Sequence, residues 1–168
     1  KFAPGFELIE WNETNCDVNE CTYVKEAYEA KKWAFVSDYF RIKKLYEYGG
    51  IYVDTDTELV SNILSLTVNK TFFAFETKQQ IHAGIFGSIP NAPIMKMWLD
   101  TYNGEHLIKE DGTLNTSNTI VKRLTQILEK KYKAILNGKK QRLQEGIMLY
   151  QPNELTLDMY DGKCIAQH

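Results

Sequence analysis

The hydrophobic pattern along the chain alternates between helical and extended periods. Helical periods predict four helices, at about residues 21–31, 33–48 and 91–101 and from 117 or 118 through 128. Runs rich in aromatic and β-branched residues predict strands at 6–11, 51–60, 71–76, 83–87, 147–150 and 164–167. The polar, glycine-containing segment 103–116 predicts a loop. Helices that alternate with strands indicate an α/β domain built around one sheet.

The helix predicted over 33–48 carries a charged pair beside an apolar stripe. Asp38 and Arg41 are three residues apart, so they are neighbours on one face of the helix. A guanidinium offers a planar fork of donors, and a carboxylate accepts from hydroxyl groups. The apolar residues recur at the spacing of a buried stripe: Phe35, Tyr39, Ile42 and Tyr46. The pair Gly49-Gly50 ends the helix and directs the chain into the next strand.

That next segment places an aromatic ring and two carboxylates on one face of a strand. Because side chains alternate along a strand, Tyr52, Asp54 and Asp56 share a face. Burial of two unpaired carboxylates costs free energy, and like charges raise each other's pKa. A divalent cation removes both costs, and carboxylate oxygens suit Mg²⁺ or Mn²⁺, which also bind water and phosphate oxygens. The segment therefore predicts a metal–phosphate site at the carboxyl end of its strand.

Length and charge narrow the classes of protein to consider. The 168 residues are most simply one domain. A net charge of −2 and a pI near 6.0 argue against a nucleic-acid partner. Neither a membrane-spanning apolar run nor a secretory signal is visible, so we expect a cytoplasmic location. Peripheral association with the inner face of a membrane stays open, and nothing in the sequence indicates an oligomer.

Residues 33–56 carry a joined run of short motifs: Trp33-Ala34, Ser37-Asp38, Arg41, Leu45-Tyr46, Gly49-Gly50-Ile51-Tyr52 and Asp54-Thr55-Asp56. With these spacings, the run resembles the DXD region of glycosyltransferase family 32. That family includes capsular-polysaccharide sugar transferases and the yeast initiating mannosyltransferase, and it is related to the clostridial glucosylating toxins. A second group of motifs resembles the distal half of bacterial members: Leu136-Asn137-Gly138-Lys139, Gln141, Gly146-Ile147 and Tyr150-Gln151-Pro152.

The resemblance implies a GT-A-like domain, with a mixed, mostly parallel sheet flanked by helices. It implies a retaining glycosyltransferase that uses Mn²⁺ or Mg²⁺, a nucleotide-sugar donor with UDP-galactose or a related UDP-hexose as first choice, and a glycan or glycolipid acceptor. The expected pathway is bacterial surface or capsular polysaccharide synthesis. By resemblance, Asp38 and Arg41 bind hydroxyls of the donor sugar. We expect Asp54 and Asp56 to bind the metal and act in catalysis, and Tyr52 to pack against the ribose. GT-A enzymes often add a histidine of the C-terminal segment as a metal ligand, so His168 is a candidate for a further ligand.

Relatives begin with a further strand and continue past the position of His168. We therefore expect the domain over 1–168 to be incomplete at both ends, and such a piece could lack activity. Two other functions stay open. One is a phosphatase of the haloacid-dehalogenase type, whose nucleophile motif is also Asp-x-Asp, although Glu58 stands where that motif normally has Thr or Val. The other is a non-catalytic module that binds carbohydrate or a sugar nucleotide.

Overall fold

The chain forms an α/β structure around one mixed five-stranded sheet, and the computed structural model describes residues 1–155 and 164–167. The helices are α1 (Thr22–Glu29), α2 (Trp33–Tyr48), α3 (Pro93–Asp100), α4 (Ile120–Tyr132) and α5 (Pro152–Leu155), with 3₁₀ turns at Ile63–Val68 and Gln144–Gly146. The strands are β1 (Gly50–Val53), β2 (Glu58–Leu59), β3 (Thr71–Phe75), β4 (Ile81–Ser88), β5 (Gln141–Arg142), β6 (Ile147–Tyr150) and β7 (Ala166–Gln167). Among these helices, none has the length and apolar content needed to cross a bilayer.

The main sheet has the strand order β1-β4-β3-β6-β5, and β2 pairs with β7 in a separate ladder. Only β3 and β6 pair in parallel, whereas the β1–β4, β3–β4 and β5–β6 pairs are antiparallel. The predicted α/β class and mixed sheet are confirmed, but the expectation of a mostly parallel sheet is wrong. The short connection over 76–80 makes β3 and β4 a hairpin, and two strands joined by so short a turn must be antiparallel.

The central strands β3 and β4 are buried along their whole length. Phe73 and Phe75 of β3 pack into the helix-side core with Trp98 of α3. Phe72 and Ala74 face a second core on the opposite side of the sheet. Burial on both faces explains why these strands read as nearly continuous apolar runs in the sequence.

Helix α2 begins and ends where the periodicity predicts. Tyr39 and Ile42 of the predicted stripe are buried, and its other two members are half-buried. Gly49 follows the helix with φ of 70°, in the left-handed region that favours glycine. A Cβ at Gly49 would lie 2.7 Å from Cδ of Pro90, so no larger residue fits without displacement. Helix α2 therefore feeds directly into β1.

Several local predictions differ from the structure. Residues 6–11 form no strand with any described residue, and Leu8 is 98% exposed. The strand predicted over 51–60 is divided into β1 and β2, because the Thr57 N–H donates to the Asp54 carbonyl oxygen at 3.0 Å and closes a turn. Helices α3 and α4 begin after Ala92 and Thr119, one or two residues later than predicted.

The strands β1, β3 and β6 run in the same direction, so their carboxyl ends meet at one end of the sheet. There Val53 pairs with Ile85, and Phe75 pairs with Ile81 next to the hairpin turn. Asp54, the first residue after β1, therefore lies at the same end of the sheet as that turn. This end carries the charged cluster described next.

Candidate functional site

Arg41 on α2 joins two carboxylates at the carboxyl end of β1. Its Nη1 lies 3.1 Å from Oδ1 of Asp54, and its Nη2 lies 3.4 Å from Oδ1 of Asp38. Nη1 also donates to the Ala83 carbonyl oxygen at 3.0 Å, and Nη2 donates to Oγ of Ser37 at 3.1 Å. The side chain of Arg41 is only 10% exposed, against 16% for Asp38 and 25% for Asp54. Because the guanidinium is fixed by these bonds, it holds both carboxylates in defined positions.

Tyr52 of β1 completes the cluster. Its hydroxyl donates to Oδ1 of Asp54 at 2.6 Å. Its ring centroid lies 4.5 Å from Cζ of Arg41 and 5.5 Å from the ring centroid of Phe86. Burial raises the pKa of Tyr52 to about 12, against the opposing effect of Arg41. The hydroxyl is therefore protonated at neutral pH and orients Asp54, while the ring packs within the protein.

The two carboxylates of the DXD segment have different surroundings. Oδ1 of Asp54 faces Tyr52 and Arg41, whereas Asp56 is exposed in the turn after β1. Oδ2 of Asp54 faces Gly84 of β4. A Cβ at Gly84 would lie 2.7 Å from that oxygen and 2.5 Å from Nε2 of His82. The missing side chain at Gly84 therefore makes the space into which a carboxylate oxygen and an imidazole nitrogen converge.

Strand β4 is irregular beside this space. Phe72 pairs with Gly87, whereas Ala74 pairs with His82, so four residues of β4 stand opposite a single residue of β3. Such bulges bend a strand, change the direction of its side chains and are common next to active sites. The backbone N–H of Asp54 donates to the Gly84 carbonyl oxygen at 2.7 Å. The sequence contained one signal for this feature, a glycine inside an apolar strand.

Asp38 is the carboxylate most affected by its surroundings. Burial raises its pKa to about 6, although Arg41 opposes the rise and Asp54 adds to it. Behind Asp38, burial and then the Asp38 charge hold the pKa of Tyr102 well above its usual value. Arg123 of α4 is 3% exposed, and its Cζ lies 4.3 Å from the Tyr102 ring centroid. Helix α4 thus provides a second positive charge near the cluster.

No pattern in the sequence marks Tyr102 or Arg123 as neighbours of the cluster. Arg123 donates to the carbonyl oxygens of Thr101 and Asn118 and to Oε2 of Glu105. All three acceptors lie on the loops around α4, so the arginine is buried with its donors satisfied. The position of Tyr102 and Arg123 near the cluster depends on how α3 and α4 pack against each other, and helical periodicity does not determine this packing.

The raised pKa of Asp38 predicts a pH-dependent stability that Asp38→Asn removes. The unfolded chain ionises Asp38 near its ordinary pKa, whereas the folded chain keeps the proton up to about pH 6. The stabilising contribution is therefore complete below the unfolded pKa and disappears as the pH rises through about 6. As the pH rises from 4 to 7, the free energy of unfolding of the unmodified protein should fall by about 2 kcal/mol relative to that of Asp38→Asn. Urea unfolding of both proteins across this pH range measures the difference. The same dependence of the free energy of unfolding on pH in both proteins would contradict the prediction.

The DXD donor set fits a hard divalent cation that also binds a substrate. Mg²⁺ and Mn²⁺ commonly take one or two protein carboxylates and complete their coordination with water and phosphate oxygens. Asp54 and Asp56 supply that number, and Oδ2 of Asp54 faces the space beside Gly84. Within residues 1–155 and 164–167, no group of three or more His, Cys, Asp or Glu side chains could hold a metal by itself. His168 lies outside the described residues, so its role as a ligand stays a prediction.

Comparison with known families adds an independent observation. Residues 1–73 match the family model described as "Glycosyltransferase sugar-binding region containing DXD motif". The match includes α1, α2, β1 and the turn that carries Asp54 and Asp56. It supports a glycosyltransferase with a sugar-binding region for this chain. No curated protein and no solved structure matches the chain.

Proposed function

We propose that this protein is a metal-dependent glycosyltransferase of family 32 that moves a hexose from a UDP-sugar to a glycan or glycolipid acceptor. The observation that carries the proposal is the cluster of Arg41 with Asp38, Asp54 and Tyr52 inside the segment that matches the family model. The resemblance of residues 33–56 to family 32 further implies a retaining enzyme of bacterial surface or capsular polysaccharide synthesis with a GT-A fold.

The residues of the cluster have separate roles in this proposal. Asp54 and Asp56 would hold Mn²⁺ or Mg²⁺, which neutralises the charge that develops on the departing diphosphate. Tyr52 orients Asp54 through its hydroxyl, and Arg41 fixes the same carboxylate from the other side. Asp38, held by Arg41, accepts from a donor-sugar hydroxyl. Because Asp38, Arg41, Tyr52 and Asp54 are held by one another before the donor binds, these four side chains need little reorganisation during transfer.

Nucleotide release tests the proposed reaction directly. The protein is incubated with UDP-galactose, UDP-glucose and GDP-mannose, each with Mn²⁺ and with EDTA. We expect release of UDP from a UDP-sugar with Mn²⁺ and none with EDTA. Cleavage of p-nitrophenyl phosphate without nucleotide release would instead indicate the phosphatase. Saturable binding of a sugar nucleotide without any release would indicate the binding module.

Gly84→Ala tests whether the space beside Asp54 is needed for the donor. The added Cβ would lie 2.7 Å from Oδ2 of Asp54 and 2.5 Å from Nε2 of His82, so both groups must move. We expect the affinity for UDP with Mn²⁺ to fall by roughly tenfold, about 1.4 kcal/mol. Isothermal titration calorimetry measures this change.

The variant His82→Ala/Gly84→Ala is the matched control. Removal of the imidazole relieves half of the overlap, so the affinity for UDP should recover in part compared with Gly84→Ala alone. Unchanged affinity in Gly84→Ala would show that the space beside this glycine is not part of the donor site.

A further inference from the structure

A polar groove lies between the β3–β4 hairpin and the first turns of α4, outside the charged cluster. It has a volume of about 450 Å³, within the usual range for small-molecule sites. Thr77, Gln79 and Gln80 line it from the hairpin, and Lys122 and Gln126 line it from the helix. Among its eight lining residues none is acidic and none is aromatic.

The chemistry of the groove suits a ligand with many hydroxyl groups. The side-chain amides of Gln79, Gln80 and Gln126 make no hydrogen bond with any described residue, so each offers both donors and an acceptor. Lys122 adds an ammonium donor on the helix side of the groove. These groups match sugar hydroxyls, which also donate and accept.

The same features disfavour a nucleotide in the groove. No lining aromatic ring is present on which a base could stack. At the N-terminus of α4, Oγ1 of Thr119 already accepts the Lys122 N–H at 3.3 Å, so this helix end is capped. The Lys122 ammonium group donates to the Ser117 carbonyl oxygen at 2.9 Å. The groove therefore offers a nucleotide base no stacking partner, whereas its side-chain amides match the hydroxyl groups of a neutral saccharide.

The groove and the charged cluster lie along the same strand. Gln80 lines the groove and immediately precedes β4, and Gly84 of that strand faces Asp54. Four residues of strand span at most about 13 Å. Both features also lie at the end of the sheet where β1 and β3 finish. A chain of two or three sugars could therefore reach from the groove towards Asp54.

We propose that this groove binds the glycan acceptor, as a neutral saccharide held by Gln80, Gln126 and their neighbours. The inference rests on the proposed transferase function and adds the acceptor subsite to it. The terminal hydroxyl of the acceptor would lie towards Asp54, while the preceding sugars occupy the groove. Specificity for the acceptor would then depend on the β3–β4 hairpin and on α4, and not on the turn that carries Asp54 and Asp56.

The double variant Gln80→Ala/Gln126→Ala tests the acceptor subsite. With a UDP-sugar that the protein accepts, Mn²⁺, and lactose, cellobiose or maltose as acceptor, we expect the KM for the best acceptor to rise at least tenfold. The rate of donor hydrolysis by water and the KM for the donor should stay within twofold. Gln144→Ala changes an exposed glutamine of the turn before β6, and it should leave all three quantities unchanged.

A second measurement makes failure of the subsite distinguishable from failure of the transferase. In ¹H–¹⁵N spectra without nucleotide, one of these disaccharides should shift the side-chain amides of Gln79, Gln80 and Gln126. Absence of such shifts, or an unchanged acceptor KM in the double variant, would overturn the subsite. Loss of UDP affinity in the double variant would also overturn it, because the groove would then belong to the donor. Failure of sugar-nucleotide release in the unmodified protein, with the amide shifts present, would overturn only the transferase.

Discussion

Asp56→Asn should lower the affinity for UDP with Mn²⁺ roughly a hundredfold, about 2.7 kcal/mol, with little effect on folding. Asp56 is exposed in the turn after β1, where an interaction of a surface charge contributes up to about 1 kcal/mol, so the free energy of unfolding should change by no more than that. The large effect on affinity follows because an amide keeps the shape of the side chain but loses the negative charge that binds the cation. Isothermal titration calorimetry and urea unfolding measure the two quantities.

The control for this substitution is Asp111→Asn. Asp111 is an exposed carboxylate in the loop over 103–116, where its Oδ1 accepts from the Thr113 backbone N–H at 2.9 Å. It should bind UDP with Mn²⁺ as the unmodified protein does. Equal affinities in Asp56→Asn and Asp111→Asn would remove Asp56 from the metal site.

Arg41→Ala should be the most destabilising of the substitutions in the cluster. It leaves the largely buried carboxylate of Asp38 and the partly exposed carboxylate of Asp54 without the guanidinium that contacts both. Loss of one partner of a buried ion pair costs about 3–5 kcal/mol. For a chain of this length the midpoint of thermal unfolding should fall by on the order of 10 °C. Thermal and urea unfolding at pH 7 measure this change.

Two further variants separate charge from geometry at this position. Arg41→Lys keeps the positive charge but loses the fork that also reaches Ser37 and Ala83, so it should remain clearly destabilised. Lys25→Ala removes an exposed cation that lies 4.0 Å from Glu29 and should cost less than about 0.5 kcal/mol. A loss in Arg41→Ala as small as that in Lys25→Ala would contradict a central role for Arg41.

The sequence predicts the local parts of the site because short-range patterns determine them. The spacing of Asp38 and Arg41 on one helix is enough to predict their ion pair, which forms at 3.4 Å. The glycines at 49 and 50 predict the end of α2, and alternation along β1 puts Tyr52 and Asp54 on one face, where they form a hydrogen bond. Each of these relations spans only a few residues.

The sequence does not predict the parts that depend on long-range pairing. The contact of Asp54 with Gly84 and the bulge in β4 require the pairing of β1 with β4, which periodicity does not specify. The direction of each strand in the sheet is also determined by long-range pairing. Periodicity does not specify this pairing, so the expectation of a mostly parallel sheet is wrong. The charge of Arg123 on α4 lowers the pKa of Asp38, and this long-range effect also depends on the packing of α4, which periodicity does not specify.

The structure gives the positions of the residues with predicted roles in donor binding, and the roles themselves stay predictions. Asp38, Arg41, Tyr52 and Asp54 form one connected cluster, and Asp56 follows it in an exposed turn. The packing of Tyr52 against a ribose stays a prediction. In the structure its hydroxyl donates to Asp54, and its ring contacts Arg41 and Phe86.

The most direct test is calorimetric titration of UDP and of GDP into the protein, first with Mn²⁺ and then with EDTA. A transferase that holds its donor through a metal at Asp54 and Asp56 predicts saturable binding of UDP with Mn²⁺ and none with EDTA. GDP should bind more weakly than UDP under the same conditions. Absence of binding by either nucleotide with Mn²⁺, or equal binding with EDTA, would contradict the metal-dependent transferase.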